Sequence, residues 1–309
     1  MRHLLNLVDY GSEEIMEIIN LAIKFKKDRK RGLRVQKFLE GKSIALIFEK
    51  PSTRTKASLM VAINELGGFV YSFTKDELQL GRGEPVKDTA RVLSRYFDMV
   101  IARVYRHEDL EIMAQYSSIP VVNALSDKFH PLQALADIQT ILEKKGKLKG
   151  LKIAFIGDGT DNVLNSLIVV SAKLGLYLSI ACPREYSPDL HLLESLLDDA
   201  EKSGAFIEVT EDPKEAANSA DVIYTDVFVS MGQEAEREKR IKIFMPRYQV
   251  SSDLLKLAKD DCIFMHCLPA HRGEEVVDEV IENSKHSVVF DQAENRLHTA
   301  KAVLKHLLG

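Results

Sequence analysis

The feature that most constrains this chain's fold is an alternation, from residue 43 onward, of short apolar runs with longer amphipathic stretches. The runs at 43–48, 99–102, 151–156, 177–181, 222–225, 263–265 and 288–290 are too short for buried helices. They read as strands buried on both faces. Between them, residues 57–66, 132–142, 165–174 and 190–197 place apolar side chains at helical spacing. Parallel strands need a crossover of helix length, so this alternation predicts an α/β fold built on parallel sheets.

Two segments resemble one another. Leu39-Glu40-Gly41-Lys42-Ser43-Ile44-Ala45-Leu46-Ile47 aligns with Leu148-Lys149-Gly150-Leu151-Lys152-Ile153-Ala154-Phe155-Ile156. Each is a Gly-led apolar strand followed by a polar loop and a helix. The expectation is two doubly wound parallel-sheet domains with the active site in the cleft between them. The polar stretch 144–150 marks the boundary, giving domains at 1–146 and 147–292. A final helix, about residues 293–309, is able to pack back on the first domain. A chain of 309 residues suits two domains of ordinary size.

Composition enters mainly by exclusion. With 45% hydrophobic and 28% charged residues, the chain is neither disordered nor a fibrous repeat. No run of 18 apolar residues is present, so no membrane span is expected. The first residues lack the apolar core and cleavage site of a signal peptide. Three cysteines, Cys182, Cys262 and Cys267, fit a cytoplasmic protein with free thiols. A net charge of -4 gives no overall footprint for nucleic acid. The one basic run, Lys24 to Arg34, reads as the solvated end of an amphipathic helix stopped by Gly32.

Six segments carry chemistry. Ser52-Thr53-Arg54-Thr55 follows the first strand and opens a helix. Ser52 is a natural N-cap, and the free N–H groups after it suit a phosphate. Arg103 ends a buried strand, at the edge where open sheets bind ligands. His130-Pro131-Leu132-Gln133 opens another helix, with Pro131 in its first turn. Gly157-Asp158-Gly159-Thr160-Asp161-Asn162 begins like a dinucleotide fingerprint but has Asn162 in place of the third glycine, which argues against a hydride-transfer enzyme. Asp226 ends a strand before the loop Ser230-Met231-Gly232. Last, Cys267 follows a strand in His266-Cys267-Leu268-Pro269. Zinc on Cys262, His266, Cys267 and His271 is not expected, because the spacing fits no finger pattern and the two cysteines point to opposite faces of a strand.

Taken together, Ser52-Thr53-Arg54-Thr55, His130-Pro131-Leu132-Gln133, Asp226 with Ser230-Met231-Gly232, and His266-Cys267-Leu268-Pro269 resemble the signature set of the ornithine carbamoyltransferase family, in order and spacing over nearly the whole chain. The resemblance implies transfer of the carbamoyl group of carbamoyl phosphate to the δ-amine of L-ornithine. The alternatives are carbamoyltransferases for putrescine, acetylornithine or aspartate. It implies that Ser52, Thr53, Arg54, Thr55, Gln79, Arg103, His130, Pro131, Leu132, Gln133, Cys267, Leu268 and Arg296 hold carbamoyl phosphate. Asn162, Asp226, Ser230 and Met231 would hold ornithine. Catalysis would rest on Cys267, Arg103 and His130, with no metal and no organic cofactor. A homo-oligomer built on trimers is implied, with Gln79 serving its own or a neighbouring subunit. Asp161 departs from the pattern, since the family often has a neutral residue there.

Overall fold

The computed structural model describes residues 1–230 and 232–309, with residues 81 and 82 described by backbone alone. The chain forms two compact units. Unit 1 comprises Met1–Gln139 and Glu294–Gly309, and unit 2 comprises Thr140–Ala293. The division falls inside a helix rather than in the polar stretch 144–150, and the end of the chain from Glu294 groups with unit 1.

Unit 1 is built on four parallel strands, β1 (Ser43–Phe48), β2 (Phe69–Thr74), β3 (Met99–Arg103) and β4 (Val121–Leu125), in the order β2-β1-β3-β4. Its helices include α1 (Ser12–Lys30), α2 (Thr53–Glu65), α3 (Val86–Tyr96), α4 (His107–Tyr116) and α5 (Pro131–Lys145). Unit 2 has five parallel strands, β5 (Lys152–Ile156), β6 (Tyr177–Ala181), β7 (Phe206–Thr210), β8 (Val222–Tyr224) and β9 (Ile263–Met265), in the order β7-β6-β5-β8-β9. In each unit the strand order reverses beside the first strand, at β1/β3 and at β5/β8. That reversal leaves a crevice at the carboxyl ends of the strands, where such sheets take ligands.

The inner strands β1, β3, β5 and β8 and the edge strand β9 match the apolar runs, since all five are buried almost throughout. The expected strand at 288–290 is absent. Ser287 makes one isolated bridge to Phe264, and a helix, Val289–Leu308, starts at once. Only three apolar residues precede Asp291 there, and an acid in the first turn favours the helix. The segment at 190–197 is two short helices, Leu190–Ser195 and Leu197–Ser203.

Helix α1 ends at Lys30 before Gly32, whose φ of 86° only glycine adopts readily. Its basic end is not wholly solvated. Lys26 is buried, with its ammonium donating to Asn295 Oδ1 at 2.8 Å, and Arg29 pairs with Glu65. Aliphatic stems cover the core here while the charges meet partners in the same unit. Among the described residues no helix is long and apolar enough to cross a membrane.

Candidate active site

All six chemistry-bearing segments lie at carboxyl ends of strands: after β1, at the end of β3, and after β4, β5, β8 and β9. The parallel sheets impose this placement, because every strand of a unit delivers its following loop to the same edge.

In unit 1, Ser52 caps α2 with extended backbone, and its Oγ accepts the Thr55 N–H at 3.3 Å. The first turn of α2 holds no acid, so its positive end is uncompensated by its own side chains. Ser52 and Thr53 line a cavity of about 840 Å³, together with Lys56 and Lys75. Thr55, in the first turn of the same helix, belongs to a buried polar cluster. The Arg296 guanidinium donates to Thr55 Oγ1 at 3.1 Å and to Gln133 Oε1 at 2.6 Å. Gln133 Nε2 in turn donates to Asp137 Oδ1 at 2.8 Å. Thr55, Gln133, Asp137 and Arg296 are all buried, which makes this a fixed arrangement rather than a surface ion pair.

Arg103 and His130 are buried in the same unit. Desolvation, then the Arg296 and Arg103 cations, hold the His130 imidazole well below its usual range. His130 is therefore neutral at pH 7, a ring that can donate from one nitrogen without carrying charge. The preceding loop is held by Asn123, whose Nδ2 donates to the carbonyls of Leu5 at 2.8 Å and Phe129 at 3.1 Å. Pro131 and Leu132 form the first turn of α5. Gln79 is exposed and opens a 3-10 turn, Gln79–Arg82, and Arg54 is half-buried at the start of α2.

In unit 2, Asp226 follows β8 and Cys267 follows β9, so two adjacent strands bring them together. The Cys267 thiol donates to Asp226 Oδ2 at 3.2 Å, and Asp226 Oδ1 accepts the Val227 N–H at 2.8 Å. Burial pushes the Asp226 carboxyl up. Asp161 caps α6 (Asn162–Leu174), accepting the N–H groups of Val163 at 2.7 Å and Leu164 at 3.0 Å. Desolvation first, then the Asp226 and Asp158 carboxylates, push Asp161 well above the ordinary carboxylate range. Asn162 begins α6. Ser230 is fixed by its N–H donating to Gln233 Oε1 at 3.0 Å, whereas Met231 lies outside the described residues. In the turn after β5, a Cβ on Gly159 would meet the Tyr186 carbonyl at 2.2 Å, so close packing requires this glycine.

Two networks around these residues had no local sequence signal. The Leu268 N–H donates to His266 Nδ1 at 2.8 Å, and His266 Nε2 faces Glu275 Oε1 at 3.1 Å. Nδ1 accepts, so Nε2 carries the proton and donates to Glu275. His266 N–H also donates to Gln292 Oε1 at 3.0 Å. These bonds hold Leu268 at φ 61°, a left-handed conformation costly for a residue with a Cβ. Separately, the buried Arg240 pairs with Asp158 and donates from Nε to the Phe228 carbonyl at 2.6 Å. Arg240 thus ties the turn before Asn162 to the loop after Asp226.

Asp226, His266 and Cys267 bring donor atoms within 4.8 Å of one another. Both ring nitrogens of His266 are already engaged, so it would have to abandon a bond to bind a metal there. Cys262 stays apart, buried, with its thiol pushed up to about 12 by desolvation.

Comparison with known proteins gives these two sets of residues a context. Residues 2–143 match the family model described as aspartate/ornithine carbamoyltransferase, carbamoyl-P binding domain. Residues 149–307 match the model described as aspartate/ornithine carbamoyltransferase, Asp/Orn binding domain. The ornithine carbamoyltransferase of Hyperthermus butylicus is 55% identical over 308 residues, covering 100% of this chain and 98% of that protein. The anabolic ornithine carbamoyltransferase of Pyrococcus furiosus is 54% identical over 308 residues, covering 100% of this chain and 96% of that protein. A solved structure of ornithine carbamoyltransferase from Pyrococcus furiosus superposes with a TM-score of 0.95 at 53% identity, covering 100% of this chain and 97% of that one. The chain belongs to the aspartate/ornithine carbamoyltransferase family.

Proposed function

We propose that this protein transfers the carbamoyl group of carbamoyl phosphate to the δ-amine of L-ornithine, giving L-citrulline and phosphate. The observation that carries the choice of amine is the Asp226–Cys267 contact at the ends of β8 and β9. An anion there suits the α-ammonium of ornithine, and the thiol beside it suits proton transfer. Aspartate would present a carboxylate to Asp226, where like charges in a buried setting repel. Putrescine has no α-carboxylate to meet the donors around Asn162 and Ser230. Acetylornithine has no α-cation for Asp226.

In this reading residues 1–146, with the final helix, hold carbamoyl phosphate. The α2 N-terminus, Ser52, Thr53 and Arg54 take the phosphate, and Gln79 helps complete that site. Arg103, neutral His130 and Thr55 face the carbonyl oxygen, where negative charge grows as the carbon becomes tetrahedral. Gln133 takes the carbamoyl nitrogen, and Arg296 holds Gln133 and Thr55 in position. Residues 147–292 hold ornithine through Asn162, Asp226, Ser230 and Met231.

The δ-amine must lose a proton before it attacks, which at pH 7 costs roughly 4–5 kcal/mol for an amine of lysine's basicity. Cys267 accepts that proton. Beside an ionised Asp226 a thiolate is disfavoured, and the thiol instead donates to the carboxylate. An α-ammonium brought to Asp226 offsets that charge. With that charge offset the thiol gives up its proton to solvent, and the resulting thiolate takes one proton from the δ-ammonium. After the neutral amine attacks the carbonyl carbon, the C–O bond to phosphate breaks and phosphate leaves toward α2.

The test is carbamoyl phosphate with ornithine, putrescine, acetylornithine and aspartate, measuring phosphate and ureido product together. Stoichiometric citrulline and phosphate with ornithine alone is expected. Equal turnover on another amine would contradict the reading.

We also infer a cytoplasmic homo-oligomer built on trimers. Three free cysteines fit a reducing compartment. Exposed Phe69 and Tyr71 on edge strand β2 fit a surface covered by a second copy. Sedimentation equilibrium should give a mass that is a multiple of three chains, and a monomer would refute it.

A further inference from the structure

We propose that unit 2 carries a site for one divalent cation of the zinc or cobalt type, held by His271 Nδ1, Glu274 Oε2 and Glu275 Oε2. These three atoms lie within 4.8 Å of one another. His271 Nδ1 is 3.9 Å from each of the two carboxylate oxygens. The inference is independent of the carbamoyl-transfer reading.

The oxygens themselves carry the argument. Glu275 is fully buried, and its Oε1 is occupied by His266 Nε2 at 3.1 Å and by the His271 N–H at 2.5 Å. Its Oε2 is equally buried and accepts no hydrogen bond. Glu274 repeats the pattern, with Oε1 given to Arg237 while Oε2 is buried without a donor. Buried carboxylate oxygens without donors are rare, and two aimed at one imidazole nitrogen are a ready set of cation ligands. Of the two neighbouring cations, Arg272 is turned away to Asp278 and Glu282, and Arg237 engages the other oxygen of Glu274, Oε1.

One nitrogen and two carboxylate oxygens form a donor set of intermediate softness, which suits zinc, cobalt or nickel better than magnesium or calcium. Zinc holds such donors at about 2.0–2.2 Å, so atoms 3.9 Å apart can both reach one ion. The His271 side chain is 43% exposed, which leaves open positions for water. The site differs from the Asp226–His266–Cys267 group, whose imidazole is engaged at both nitrogens.

The experiment titrates Co²⁺ into the full chain, read by visible d–d absorption, and Zn²⁺, read by calorimetry. Wild type, Cys267→Ser, His271→Ala and Glu274→Gln are compared, with circular dichroism confirming the fold of each. One equivalent should bind wild type and Cys267→Ser alike, and affinity should fall at least about tenfold in His271→Ala and in Glu274→Gln. Binding that is lost in Cys267→Ser but kept in His271→Ala would move the metal to the thiol and overturn the proposal. So would the lack of any saturable signal with either ion in wild type.

Discussion

Asp161 answers two demands that oppose each other. As the N-cap of α6 it accepts two backbone N–H groups, which favours its charge. As a buried acid near Asp226 and Asp158 it resists ionisation. Its folded pKa is raised, so the folded state keeps a proton that the unfolded state releases. The stability from this group is therefore full at low pH and is lost as pH rises above the ordinary carboxylate range. Asparagine caps helices as well as aspartate and carries no charge. Asp161→Asn should raise Tm, and by more at pH 8 than at pH 5. Thermal melts at both values check this, and a lower Tm at pH 8 would show that the charge is needed. The sequence marks Asp161 as a departure from the family pattern, but only the fold reveals the acids around it.

At the scale of elements, legibility follows burial. β1, β3, β5, β8 and β9 lie inside their sheets or are covered, so they appear as continuous apolar runs. Strands β2 and β7 sit at sheet edges with half-exposed faces, and their mixed sequences conceal them. In β4 the buried Asn123 interrupts the run because its amide is committed to the loop before His130. The Ser52 cap is local and legible, whereas Asp161 stands in the sequence only as a departure from the family pattern. Arg240 is not legible, because its partners lie on other elements.

The helix Arg237–Phe244 delivers Arg240 to Asp158 and to the Phe228 carbonyl, with the guanidinium over the Tyr186 ring at 4.7 Å. Removing one partner of a buried ion pair costs about 3–5 kcal/mol. Arg240→Met should therefore lower stability by that order and raise the KM for ornithine, while carbamoyl phosphate affinity changes little. Chemical denaturation with steady-state kinetics tests this. An unchanged KM in a destabilised variant would make Arg240 purely structural.

Across the whole molecule, the repeated Gly-led strand announces two doubly wound units, and each unit places its polar residues at its own strand-order reversal. The residues of unit 1 that suit phosphate and those of unit 2 that suit an amino acid were both legible as short motifs on loops. What supports them was not, since Glu275 lies nine positions beyond His266 and Arg296 far beyond Gln133. Such pairs arise only when the chain folds. In the proposed function Asp226, beside Cys267, selects ornithine. Its most direct test is kcat/KM for ornithine in wild type and Asp226→Asn, with carbamoyl phosphate affinity measured in parallel. A loss of about 1.5–3 kcal/mol, roughly ten- to a hundredfold or more, is expected in the ornithine value alone. An Asp226→Asn enzyme that uses ornithine as well as wild type does would contradict it.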